Sequence, residues 1–236
     1  MDPLYIFSHN FLKSESDWKE IVTEQIVLLH GSGAYAAASE IWYCGFGETQ
    51  EVVEFITLIK KWDYLNKIHI VIHNENDNEK PTLTLLQDVM RGRTHGHVMY
   101  YHTKGVTSSI REPHLKTNIQ SWRNIMQYYV IEEWAASLRY LAEFDAVGCF
   151  YDVYTSPYFT MDFFSGNFWI ANTSHINNLP PMRERDNWMG CETFVTSIKG
   201  NYKSLHVQAP GIPLYEQYFD ESSYRRSVPR RISMGD

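Results

Sequence analysis

The sequence is poor in the features that mark the most easily read protein classes. Its 236 residues include only three cysteines, Cys44, Cys149 and Cys191, an odd number with no short spacing between them. That argues against a disulfide framework or a cysteine-based zinc site, and the apolar context of each suits a reduced core thiol. No Cys/His pair has zinc spacing, and no Gly-x-Ser-x-Gly, Walker or dinucleotide fingerprint occurs. No apolar run approaches the length of a membrane-spanning helix, and Met1-Asp2-Pro3-Leu4-Tyr5 lacks the basic start of a signal peptide. The expected address is cytoplasmic. Positive charge is scarce as well: 21 Lys and Arg stand against 28 Asp and Glu, a net charge of -7, which speaks against a chain built to grip nucleic acid through its phosphates.

What is present is core material, 44% hydrophobic and 15% aromatic, in alternating strand and helix patterns. Leu4-Tyr5-Ile6-Phe7 reads as a first strand ending at Ser8-His9-Asn10. Ser14-x-x-Asp17 resembles a capping box before Trp18, Ile21, Val22, Ile26 and Leu29 at helical spacing. A second strand follows over 40–45, then a helix carrying Phe55 and Ile59, then the β-branched strand from Ile68 to His73. Pro81 suits the first turn of the next helix. His97-Val98-Met99-Tyr100-Tyr101-His102 completes a fourth strand, stopping at Thr103-Lys104-Gly105.

Four strand–helix units without hairpin signals predict an α/β fold: one Rossmann-like domain over 1–212, with a mostly parallel central sheet flanked by helices. A long amphipathic helix is expected over 115–142, strands over 146–151 and 204–207, and a short helix over 187–198 with Glu192 near its start. Residues 213–236, with Arg225, Arg226, Arg230 and Arg231, read as a polar basic tail. That tail is the one feature that would favour contact with an anionic membrane surface.

In an open parallel sheet, ligands collect beyond the carboxyl ends of the strands, which puts His102, Thr103 and Lys104 at the mouth of a site. A histidine donor and a lysine point charge suit a diphosphate, and Gly105 would let backbone approach it. The plainer reading is a solvated loop lysine beside a hydrogen-bonded histidine. Glu75-x-Asp77, after the third strand, offers hard oxygen ligands for Mg or Mn, although a short acidic loop is commonly just solvated. Glu192 is the carboxylate best suited to proton abstraction, since a helix start would favour its charged form. Asp162 is its replacement candidate, and Asp186 and Asp152 also compete. Aromatics from Tyr151 to Phe159, with Phe168 and Trp169, would make either core or a stacking platform for sugars.

Taken together, Tyr100-Tyr-His-Thr-Lys-Gly105, Phe164-Ser-Gly-Asn-Phe-Trp169 with Leu179-Pro180 behind it, and Cys191-Glu-Thr-Phe194 resemble a group of GT-A-type glycosyltransferases that assemble surface glycans in bacteria and large DNA viruses. The resemblance covers the chain to about residue 200. It implies transfer of a sugar from a nucleoside diphosphate to a hydroxyl of a glycan or lipid-linked acceptor. His9 and the loop near Asn74 would hold the nucleotide, and His102, Thr103, Lys104 and Gly105 would meet the diphosphate. Ser165, Gly166, Asn167, Phe168 and Trp169 would line the sugar and acceptor pocket, and Glu192 would deprotonate the acceptor of an inverting reaction. Many members bind a divalent metal through Asp-x-Asp at the strand end where this chain has His102-Thr103-Lys104, so the expectation is either a cation in place of the metal or His102 as a ligand beside carboxylates from elsewhere. A non-catalytic carbohydrate-binding or scaffold domain on the same frame is the alternative.

Overall fold

A computed structural model describes residues 2–156, 160–185, 187–207 and 213–225. A seven-stranded sheet forms the middle of the molecule. Its first four strands are β1 (Leu4–Leu12), β2 (Ala38–Gly47), β3 (Ile68–Ile72) and β4 (His97–His102). The rest are β5 (Ala146–Gly148), β8 (Trp169–Asn172) and β9 (Tyr202–Ser204), while β6 (Tyr151–Thr155) and β7 (Thr160–Phe164) pair as a separate antiparallel ribbon. The order across the sheet is β3-β2-β1-β4-β8-β5-β9. All neighbours are parallel except at β8, which runs antiparallel to both β4 and β5. The mostly parallel α/β architecture is therefore as expected.

Helices cover both faces. They are α1 (Trp18–Gly31), α2 (Ala34–Ala37), α3 (Thr49–Lys60), α4 (Lys80–Met90), α5 (Ser108–Arg111), α6 (Lys116–Gln127), α7 (Trp134–Leu138), α8 (Thr173–Asn178) and α9 (Asn187–Glu192). Strand alternation divides the core. Leu4, Ile6, Ile41, Tyr43, Met99 and Tyr101 join one cluster with α1, α3 and α6, whereas Tyr5, Phe7, Val98 and Tyr100 join another with α4, α8 and α9. Among the described residues no helix is long and apolar enough to cross a membrane.

Several local expectations need correction. β1 continues to Leu12, so His9 lies inside the strand, paired in register with His102 and Cys44. Ser14 does not cap α1; its hydroxyl bonds to Glu48, and Asp17 takes the N-cap position. The helix expected over 115–142 breaks into α6, a π-helical turn over Tyr128–Glu132, α7 and a 3-10 turn. Residues 213–225 are not a detached tail, since Leu214, Phe219 and Tyr224 are buried and Arg225 makes a two-pronged pair with Glu132. Their apolar spacing was hidden among polar neighbours. Arg226, Arg230, Arg231, Asp186, Tyr158 and Phe159 lie outside the described residues. The three cysteines are free and buried, and burial pushes the thiols of Cys44 and Cys191 up to about 12.

Candidate active site

The order of strands reverses between β1 and β4, and such a switch point leaves a crevice beyond the carboxyl ends of the strands. β8 sharpens it. Because β8 runs antiparallel to β4, the turn that precedes it lands beside the carboxyl end of β4, and Tyr100 stacks on Trp169 at 5.1 Å between ring centroids. In that turn the Asn167 N–H donates to the Phe164 carbonyl, with Gly166 at φ +92°. A Cβ there would lie 2.6 Å from Met126 Sδ. Gly166→Ala is therefore expected to destabilise the fold by about 2 kcal/mol, a Tm fall of roughly 5 °C for a domain of this size. A melting curve superimposable on that of the parent would contradict the requirement for glycine.

A cleft of about 700 Å³ opens here. One wall comes from the β6–β7 ribbon, where Asp152 pairs with Phe163 and Tyr154 with Met161, so these four share a face. Ser165 and Gly166 form its floor, Trp122 of α6 a second wall, and Met189, Glu192, Pro213, Leu214 and Tyr215 add to the lining. Lys104 enters from the turn after β4, its ammonium 4.3 Å from the centre of the Trp122 ring. The Arg123 guanidinium donates to the Lys104 carbonyl at 3.0 Å and holds that turn.

Glu192 ends α9 rather than starting it, so the helix-dipole argument for its charge does not apply. Its Oε2 atom is sealed from solvent and has no hydrogen-bond partner. Burial raises its carboxyl pKa above the ordinary carboxylate range, against the opposing pull of Lys104. A carboxylate so placed is a stronger base than one in water.

Behind Glu192 lies a buried polar layer on the face of the sheet that α4 covers. His102 Nε2 is 2.9 Å from the Gly166 carbonyl, which can only accept, so this nitrogen carries the proton. His102 Nδ1 faces Glu79 Oε1 at 3.8 Å. Glu79 Oε2 accepts from the Tyr100 hydroxyl at 2.6 Å and from Asn167 Nδ2 at 2.7 Å. The indole N–H of Trp169 donates to Asn167 Oδ1 at 2.9 Å. Further along, the Thr82 hydroxyl bridges His9 Nδ1 at 2.8 Å and His73 Nε2 at 3.0 Å. Burial, with His102 and His73 acting in the same sense, drives His9 down to about 3, and burial together with the Lys104 cation drives His102 down to about 4.

Of the residues singled out from the sequence, Lys104, Ser165, Gly166 and Glu192 meet in the cleft, with His102 directly behind them. Others do not meet there. Asn167, Phe168 and Trp169 are fully buried core and hydrogen-bonding framework rather than pocket wall. Thr103 is 3% exposed, and its hydroxyl accepts from the Phe11 N–H, tying β4 to β1. Gly105 adopts φ +78° and packs against Ile119 of α6, where a Cβ would clash. His9 is committed to Thr82, and Asn74 is exposed beyond β3, near the sheet edge. Asp162 alternates to the far side of β7 and accepts from the Tyr151 hydroxyl at 2.8 Å, so it is not a substitute base in this cleft. Of the expected aromatic platform, Tyr154 lines the cleft, joined by Trp122, Phe163 and Tyr215.

The expected metal ligands do not assemble either. Glu75 and Asp77 are exposed, Asp77 lies 3.7 Å from Lys80 Nζ, and His102 is held by Gly166. Among the described residues no group of three His, Cys, Asp or Glu could hold a metal ion. Sequence reasoning missed Glu79, whose one signal was an acidic residue just before a Lys-Pro helix start, and Trp122, whose helical spacing marked it only as core.

Two solved structures of HddC from Yersinia pseudotuberculosis resemble the chain at 10% identity. One has a TM-score of 0.47 and covers 85% of this chain and 90% of that protein. The other, complexed with GMP-PN, has a TM-score of 0.48 and covers 88% and 91%. No curated protein matches the chain. Residues 6–210 match the family described as a domain of unknown function, DUF8361, and the chain belongs to that family.

Proposed function

We propose that the chain transfers a sugar from a nucleoside diphosphate to a hydroxyl of a glycan or lipid-linked acceptor, with inversion at the anomeric carbon. One observation carries this reading: Glu192, a carboxylate with one buried oxygen that has no hydrogen-bond partner, and a cation, Lys104, line one aromatic-walled cleft at the carboxyl end of β4. Glu192 takes the proton of the acceptor hydroxyl as its oxygen bonds to the anomeric carbon. The bond from that carbon to the diphosphate breaks with its electron pair on the leaving oxygen, where the Lys104 ammonium offsets the charge. Trp122, Tyr154, Phe163 and Tyr215 supply faces on which sugar or base rings stack. No step is assigned to a divalent ion; Glu75 and Asp77, the carboxylates expected to hold one, are exposed and do not line this cleft. The resemblance of the motifs around Lys104, Gly166 and Glu192 to GT-A-type enzymes of surface-glycan assembly supports the same reading.

Calorimetry with UDP, GDP and dTDP, each with and without Mn, is the direct test. At least one nucleotide is expected to bind, with Lys104→Ala reducing the heat. Heat with simple sugars but with none of the nucleotides would overturn the transferase reading in favour of a non-catalytic carbohydrate-binding domain.

A further inference from the structure

Glu79 has no place in the proton transfer just described, yet the structure surrounds it with costly order. It lies at the N-cap position of α4, its side chain only 13% exposed. Both neighbours on Oε2 are donors, the Tyr100 hydroxyl and the Asn167 amide. Two donors on one oxygen favour a carboxylate, as does a helix N-terminus. Its other oxygen faces His102 Nδ1, and since His102 Nε2 carries the proton given to Gly166, the Nδ1–Oε1 approach is favourable only when a proton lies on one side of it. The Gly166 peptide completes the chain of contacts: its carbonyl receives His102, and its N–H favours the carboxylate of Glu192.

We propose that Glu79 is a positioning residue for Glu192, acting on it through His102 and the Gly166 peptide. A charge on Glu79 makes Glu192 hold a proton more tightly, so Glu192 is a stronger base than its own burial would make it. The direction of both shifts agrees: burial raises each carboxyl, and Glu79 adds to the rise at Glu192. The other groups in reach are accounted for. Lys104 acts in the opposite sense on both carboxyls, His102 lowers Glu192, and Cys191, a buried thiol with a raised pKa, stays uncharged. Asp152 lies elsewhere on the cleft lining, and His9 is neutral above about pH 3.

This inference rests on Glu192 being the base, but its test needs no substrate. In protein labelled with ¹³C at the glutamate carboxyl carbons, Glu192 and Glu79 are assigned by the resonances lost in Glu192→Gln and Glu79→Gln, and the pH is varied. The parent is expected to show two separated steps, each visible at both carbons, as coupled sites require. In Glu79→Gln, whose amide can still accept from Tyr100 and donate to His102 Nδ1, Glu192 should titrate in one step. That step should lie about one pH unit or more below the upper parent step. Tyr100→Phe removes one donor, favours protonated Glu79, and should move Glu192 the same way by less. A Glu192 midpoint unchanged in both folded variants would overturn the coupling. Absence of nucleotide binding would instead count against the transferase reading and leave the coupling standing.

Discussion

Replacing Glu192 by Gln is expected to lower the transfer rate by about 10²–10⁴-fold, the usual contribution of a general base, while donor binding stays within a few-fold of the parent. The substitution keeps the shape of the side chain and removes only its capacity to accept a proton. On the proposed mechanism Glu192 acts only when deprotonated. Its carboxyl is raised by burial, so transfer should increase with pH through a midpoint above the ordinary carboxylate range. The same shift predicts a stability effect. A carboxyl raised in the folded state contributes stability that is present below its unfolded pKa and disappears as pH rises through its folded pKa. Glu192→Gln should therefore raise Tm at neutral pH and leave it unchanged below about pH 4. Near-normal transfer by the variant would remove Glu192 from the mechanism, whatever its effect on Tm.

Lys104→Ala should have the next largest effect, with transfer falling about 10–100-fold. That range corresponds to loss of one charge-assisted contact to a leaving diphosphate. On the proposed mechanism the lysine has a second effect, because its charge also lowers the Glu192 carboxyl. Its removal should shift the acid limb of the pH–rate profile upward, opposite to the shift from Glu79→Gln. Lys104→Arg keeps the charge and a cation for the Trp122 face, so it should hold the acid limb near the parent's position. An acid limb that does not move in Lys104→Ala would separate the lysine from the base, and unchanged transfer would remove it from the site.

The opposing pH shifts follow from features that were unevenly legible in the chain. Lys104 and His102 were readable because a β-favouring run stops at them, and carboxyl ends of parallel strands are where ligands collect. Gly166 was readable as a glycine between aromatic runs, and its positive φ and contact with Met126 justify it. The resemblance places Asn167, Phe168 and Trp169 in the pocket along with Gly166. The local pattern could not show that the chain turns inward immediately after Gly166, sending all three into the core.

By itself, the sequence determined the layered α/β frame, since the periods of apolar residues, 2 in strands and 3.6 in helices, are local properties of the chain. It also brought Lys104 and Glu192 forward as candidates, with Asp162, Asp186 and Asp152 as alternatives for the carboxylate. Only the tertiary structure decided which side chains meet. The antiparallel course of β8 brings the Gly166 turn to the end of β4. The packing of α4 on one face of the sheet brings Glu79 within 3.8 Å of His102, 23 positions away in the chain. The C-terminal residues Leu214 and Tyr215 close one side of the cleft. Such meetings depend on the order of strands and the faces of helices, which pair residues distant in sequence, and no period or short motif encodes them.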